Sequence, residues 1–181
     1  MKRETYNEAQ KRAIEFYAKA NIILTDAEKT NIEVADFGLD DLARTGLELV
    51  VYVNTEKCCA KEMVLFPRQT CPEHSHEPLP SIGYTGKEET FRCRYGTVYL
   101  VVAGEKTDNM HAVPPSGDEE YYTVYHEITL NEGEQYTMLP GTKHWFQSGD
   151  KGAVISEFST KSMDELDIFT DPRIKRAPEI V

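Results

Sequence analysis

The chain has 181 residues, 40% of them hydrophobic, and a formal charge of −11 from 20 Lys and Arg against 31 Asp and Glu. That length supports one well-filled core, so a single domain over residues 1–181 is expected. The acidic balance excludes a general binder of nucleic-acid backbone, which needs clustered cations to displace counterions.

The first turns mix Lys2, Arg3, Glu4, Glu8, Lys11, Arg12 and Glu15, which is not the apolar run of a secretory signal. No later stretch reaches membrane-spanning length, so no membrane partner is expected. Cys58, Cys59, Cys71 and Cys93 follow no dense disulfide framework and read as reduced thiols of a cytoplasmic protein. Tyr6, Ala9, Ala13, Phe16, Tyr17 and Ala20 recur at helical spacing among charges, which predicts an amphipathic helix at the N-terminus. A second short helix is expected over 39–43, stopped near Gly46, making 1–46 a helical extension. From Leu47 the character changes to β-type runs: LELVVYV at 47–53, EMVLF at 62–66, FRCRYGTVYLVVAG at 91–104, YYTVYHEITL at 121–130 and AVISEFS at 153–159. Turn residues punctuate them and no long helical pattern intervenes, so 47–159 reads as an antiparallel sandwich or barrel. A long hairpin loop is expected over 106–120, and a polar tail with Pro172 and Pro178 over 160–181.

Within the β region, His74, His76, Glu89 and His144 form a candidate metal-ligand set. Side chains two apart on a strand share a face, so His74 and His76 can enter one cavity. Glu89 is followed by six residues and then Gly96, and His144 lies just beyond Pro140-Gly141. Imidazoles with a carboxylate suit an open catalytic site for a divalent first-row ion, with Mn, Fe, Co, Ni and Zn all compatible. His111 and His126 stand outside this order. Over about residues 70–158 the chain resembles the cupin family, whose motifs supply HxH, a Glu followed by six residues and a Gly, and a later His after a turn. The resemblance implies a mainly β fold, a double-stranded β-helix or jelly-roll barrel. The chain departs from the pattern in two places. Gly directly follows Pro140, and the gap from His76 to Glu89 is long, suggesting a loop, EPLPSIGYTGKE, inserted over the cavity mouth.

Lys87 lies two residues before Glu89, on the same face if the segment is extended. Beside a dication, burial would favour its neutral amine and make it a tunable proton carrier; the plain alternative is an exposed loop lysine. Glu157 interrupts the apolar AVISEF, and its face is undecided by the pattern. Pointing inward, it would serve as a general base. The segments QTCPEHSH at 69–76, GKEETFRCRYG at 86–96, LPGTKHWF at 139–146, SEFST at 156–160 and DIFTDPRI at 167–174 are similar to those of the D-lyxose isomerases, the cupin-type aldose–ketose isomerases.

That resemblance implies Mn(II) on His74, His76, Glu89 and His144, with Lys87 and Glu157 catalysing proton transfer through an enediol. The sugars implied are D-lyxose and D-xylulose, or D-mannose and D-fructose. Phe91, Tyr95, Trp145 and Phe146 would wall the cavity. Asp167, Asp171 and Arg173 would close the pocket or a dimer, or touch substrate. A homodimer is expected because exposed β-edges need cover. Two rivals remain: a cupin dioxygenase with Fe(II) on the same ligands, and a non-enzymatic sugar- or metal-binding module. Lys87 favours the isomerase, which needs proton management.

Overall fold

The computed structural model describes residues 1–177 and 179–181; Pro178, in the expected polar tail, lies outside them. The N-terminal helix α1 (Arg3–Lys19) buries Ala9, Ala13, Phe16 and Tyr17 against the sheet. Its Tyr17 hydroxyl donates to the Glu62 carbonyl at 2.8 Å, fixing the helix across the strands. A short helix α2 (Asp26–Thr30) follows, started by a capping box in which Thr25 N–H donates to the Glu28 carboxylate at 2.7 Å and Glu28 N–H to Thr25 Oγ1 at 3.2 Å. The helix expected over 39–43 does not form. Phe37 and Asp40 take left-handed φ of 53° and 55°, and Gly38 N–H donates to the Asp36 carboxylate, folding 37–44 into consecutive turns.

The strands are β1 (Glu33–Ala35), β2 (Leu47–Asn54), β3 (Cys59–Leu65), β4 (Thr70–Ser75), β5 (Glu89–Val102), β6 (His126–Asn131), β7 (Gln135–Met138), β8 (His144–Ser159) and β9 (Ile168–Phe169). They form one curled sheet in the order β1-β2-β3-β8-β4-β9, with β5 pairing β6, β7 and β8. The antiparallel barrel expected from sequence is thus present. The sheet also reaches beyond 47–159, through β1 and β9. Alternation along β2 and β3 sends Leu47, Leu49, Met63 and Leu65 into the barrel with Phe91, Leu100, Phe146 and Ile155. Val50 and Val64 face the other way, into a second cluster closed by Phe16 and Tyr17 of α1.

The two longest strands, β5 and β8, pair from Glu89↔Ser159 to Val102↔His144, and the register jumps beyond Gly96↔Ala153 to Val98↔Ser148. Two glycines make this bend feasible. At Gly96 (φ 74°) a Cβ would lie 2.1 Å from the Gly152 carbonyl oxygen; at Gly152 (φ 77°) one would lie 2.4 Å from the Phe16 ring.

The run 121–130 is strand only from His126. Before it, Thr123 N–H and Val124 N–H donate to the buried Glu73 carboxylate at 2.6 and 3.0 Å, so a side chain takes the donors that a ladder would have used.

Candidate functional site

One end of the barrel gathers the four expected ligands. His74 lies on β4, His76 just past its end, Glu89 opens β5 and His144 opens β8, with His74 and His144 opposite each other in register. Ring centroids of His74 lie 4.9 Å from His76 and 4.3 Å from His144, and one nitrogen from each of the three imidazoles lies within 4.8 Å of the others. These three histidines can hold a metal ion.

Their outer nitrogens are already engaged. Nδ1 of His74 donates to the Pro72 carbonyl at 2.7 Å and Nδ1 of His144 to the Thr142 carbonyl at 2.9 Å, while Nδ1 of His76 pairs with the Asp167 carboxylate. A proton on Nδ1 leaves a lone pair on Nε2. Glu89 Oε1 lies 3.1 Å from His76 Nε2 and 3.2 Å from His144 Nε2, yet these three buried atoms have no hydrogen bond of good geometry. Buried polar atoms are rarely left so. Convergent nitrogens and a carboxylate oxygen without partners fit a divalent first-row cation.

Electrostatics separate the members. Burial lowers the pKa of His74, and the neighbouring His144 and His76 add to it, so His74 is held well below the usual histidine value. Burial opposes charge on His76 too, but Glu89 and Asp167 outweigh it and push its pKa up to about 9, so a cation binding here would displace the proton from its Nε2. Burial would raise the Glu89 carboxyl; Lys87 and His76 override that and hold it well below the usual carboxylate range.

Beside the histidines lies a network of opposite charges. Lys87 is buried, its Nζ 3.0 Å from Glu89 Oε2, 3.3 Å from Glu157 Oε1 and 3.8 Å from Asp164 Oδ1. Among the protein groups alone, burial disfavours the ammonium, but Glu157, Glu89 and Asp164 prevail and push its pKa well above the ordinary value. Glu157 is buried on the inward face of β8, shared with Ile155, and accepts from Ser159 Oγ at 3.0 Å. The loop 77–88 carries Lys87 inward and is tied to the tail where the Tyr84 hydroxyl donates to the Lys161 carbonyl at 3.4 Å.

Three charged residues of this cleft escaped the sequence reading. Lys61 on β3 reaches Asp164 Oδ2 at 2.8 Å, Ser162 Oγ at 2.9 Å and Glu157 Oε1 at 3.6 Å. Arg176 pairs with Glu33 and lies 3.3 Å from Asp164. The signal for Lys61 was present, because it alternates with Cys59, Met63 and Leu65 on an otherwise apolar face; Asp164 and Arg176 come from a tail without periodicity. Of the expected wall residues, Phe91 and Phe146 line the cleft. Trp145 instead packs edge-on against Tyr122, and Tyr95 against Phe16 beneath α1, since each falls on the opposite face of its strand. Asp167 reaches His76, whereas Arg173 pairs with Asp171 and Asp118 and lies over the Tyr121 ring, outside the cleft lining. His111 bonds Glu127 and His126 bonds the Glu105 carbonyl, apart from the ligand cluster.

The profile of the family described as D-lyxose isomerase matches residues 1–181. A D-lyxose/D-mannose isomerase from Thermosediminibacter oceani is 64% identical over 180 residues, covering 99% of this chain and 98% of that protein. A D-lyxose ketol-isomerase from Thermofilum sp. is 58% identical over 179 residues, with the same coverage of 99% and 98%. Among solved structures, the L-ribose isomerase of Cellulomonas parahominis superposes with a TM-score of 0.81 at 17% identity, over 100% of this chain and 98% of that one. It shares the cupin fold.

Proposed function

This chain belongs to the D-lyxose isomerase family, and from that premise we propose that it interconverts D-lyxose and D-xylulose, and also D-mannose and D-fructose, by proton transfer between C1 and C2. His74, His76, Glu89 and His144 would hold the divalent cation, for which Mn(II) is our choice on the resemblance to the D-lyxose isomerases, the imidazole–carboxylate set itself admitting Fe, Co, Ni and Zn as well. Such an ion, when bound, supplies Lewis acidity toward the sugar's carbonyl and hydroxyl oxygens.

The protein groups divide the remaining work. Glu157 removes the proton from C2 of the aldose and returns it to C1 of the enediol. Lys87, as the ammonium its carboxylate neighbours favour, gives a proton to O1 as the enediol forms and takes the O2 proton as the ketose forms. Phe91 and Phe146 exclude water from that face. One observation carries this reading: beside three convergent imidazoles lies a buried lysine–carboxylate pair at 3.3 Å. Oxygenation and passive binding have no evident use for it.

The test is incubation with D-lyxose and with D-mannose followed by chromatography, using chelator-stripped protein before and after Mn(II) is added back. Ketose should form only after reloading. Full turnover by stripped protein would remove the ligand assignment, and unchanged sugars in the reloaded sample would remove the isomerase reading.

We also propose that the chain acts as one domain, as a homodimer, in the cytoplasm. All four cysteines are free, which supports a reducing setting. Val53 and Phe158, 38% and 51% exposed, flank Ala60 in register on the outer face of the sheet, an apolar strip suited to a second copy.

A further inference from the structure

We infer that Asp167 is a positioning residue that couples metal affinity to docking of the C-terminal tail on the barrel. The inference rests on the metal reading of the histidine cluster. It begins from an asymmetry among the three imidazoles. The rings of His74 and His144 are oriented by carbonyls two residues upstream, Pro72 and Thr142. These anchors are local. His76 lies beyond the end of β4, and its Nδ1 partner is a carboxylate 91 residues later in the chain.

The tail meets β4 residue by residue. Asp167 reaches His76, Ile168 pairs with Ser75 and Phe169 with His74, while Thr170 donates through N–H to the Glu73 carbonyl at 3.0 Å and through its hydroxyl to the Glu73 carboxylate at 2.6 Å. The Phe169 ring lies 5.3 Å from that of His74 and 5.7 Å from that of Phe37, so the tail is seated by packing as well as by hydrogen bonds. The same stretch that seats the tail therefore orients the one ligand without a local anchor. A carboxylate behind a ligating imidazole fixes the ring and increases its basicity, and losing such a partner typically weakens metal binding by about 10–100-fold.

Coupling of this kind is reciprocal. If a docked tail strengthens metal binding by some factor, bound metal strengthens docking by the same factor. The experiment measures both directions. Mn(II) affinity is determined by chelator competition for wild type, Asp167→Ala, Asp167→Asn and Thr170→Val. Amide exchange at Ile168 and Phe169 is followed in wild type with and without Mn(II).

The expected result is a loss of about 10–100-fold for Asp167→Ala, a smaller loss for the uncharged acceptor in Asp167→Asn, and a loss of a few fold for Thr170→Val, which loosens the tail without touching His76. Exchange at 168–169 should slow when Mn(II) binds. Should Asp167→Ala fail to fold, Thr170→Val and the wild-type exchange carry the test. Wild-type protein that takes up no Mn(II) would defeat the metal reading itself. Stoichiometric uptake with unchanged affinity in the folded variants, and tail exchange indifferent to Mn(II), would overturn the coupling alone.

Discussion

Inside the barrel, Glu89 and Asp164 lie among Lys61, Lys87, His76 and Arg176. On the helix-facing side, Glu48 lies beside Val34, Val50 and Val64 of the second cluster, with Gln69 Nε2 donating to Oε1 at 3.2 Å and Oε2 without a partner. Glu48 is 0% exposed and Glu89 2%, so depth does not distinguish them. Burial pushes Glu48 up to about 8, only partly opposed by Gln69 and Arg12. Burial acts in the same direction on Glu89, but Lys87 and His76 reverse the outcome and hold it well below the usual carboxylate range; Asp164, 22% exposed, is held far below that range by Lys61, Lys87 and Arg176. Charge on a buried carboxylate is decided by the cations around it. One side of the sheet is thus built to keep ions, and the other to keep a neutral acid.

The strongest way to break the contrast is to neutralise the ionic side at its reacting group. Glu157→Gln should keep fold and metal content yet lose roughly 10²–10⁴-fold in kcat, because an amide cannot relay a proton. Turnover by ketose formation, alongside metal content, checks this, and near-normal kcat would exclude Glu157 as the base. Next in size is Lys61→Met, which leaves Asp164 and Glu157 short of a cation in a buried setting. A loss of about 3–5 kcal/mol in urea unfolding is expected, and a loss under 1 kcal/mol would mean that Lys87 and Arg176 suffice.

Glu48→Gln sharpens the other half. The folded pKa of about 8 exceeds the unfolded value of ~4.3, so the folded state keeps a proton that the unfolded chain releases, and stability falls as pH rises between them. The variant should match wild type near pH ~4 and exceed it above pH ~8 by on the order of a few kcal/mol. Equal pH profiles for both proteins would refute this. Asp164 has the opposite sign: its folded pKa is lowered, so its contribution is present above the unfolded value of ~3.9 and is lost as pH falls below it. The smallest effect belongs outside both regions. Phe158→Asp on the outer face should leave the pH profile of unfolding unchanged and shift sedimentation toward monomer.

Much of this was legible because periodicity speaks for regular, buried elements. The alternation of LELVVYV and EMVLF announced strands; local spacing put His74 and His76 on one face, and Glu89 and His144 joined them through the resemblance of their surroundings to the cupin motifs. β4 and β7 were harder: TCPEHS and QYTM carry little apolar pattern, and β4 is polar because His74 serves the site while Glu73 anchors 123–124 and Thr170, and Thr70 accepts from Gln147. Lys61 was overlooked although its place in CAKEMVL marks it as inward-facing. Asp164 and Arg176 had no such marker, and Asp167 was named only through the resemblance, since the tail is seated by tertiary contacts and by a β9 of only two residues. The capping box at Thr25 and Glu28 stood in the sequence and went unread, so α2 was missed, whereas the 39–43 segment fails as a helix through left-handed turns that composition does not announce.

The glycine at 152 has an evolutionary consequence. Phe16 occupies the space that any side chain there would need, so the two positions are constrained as a pair although they lie on an outer helix and a bent barrel strand. A lineage that gains even a methyl at 152 has to shrink or move the ring at 16. Compensation at 16 relieves the collision with the ring but leaves the Leu65 carbonyl oxygen 2.8 Å from the new Cβ, and it leaves the left-handed backbone, which costs a non-glycine residue about 1 kcal/mol wherever the ring goes. Drift at this bend is therefore nearly one-way: the aromatic can be lost with the glycine kept, but the glycine is not readily lost first.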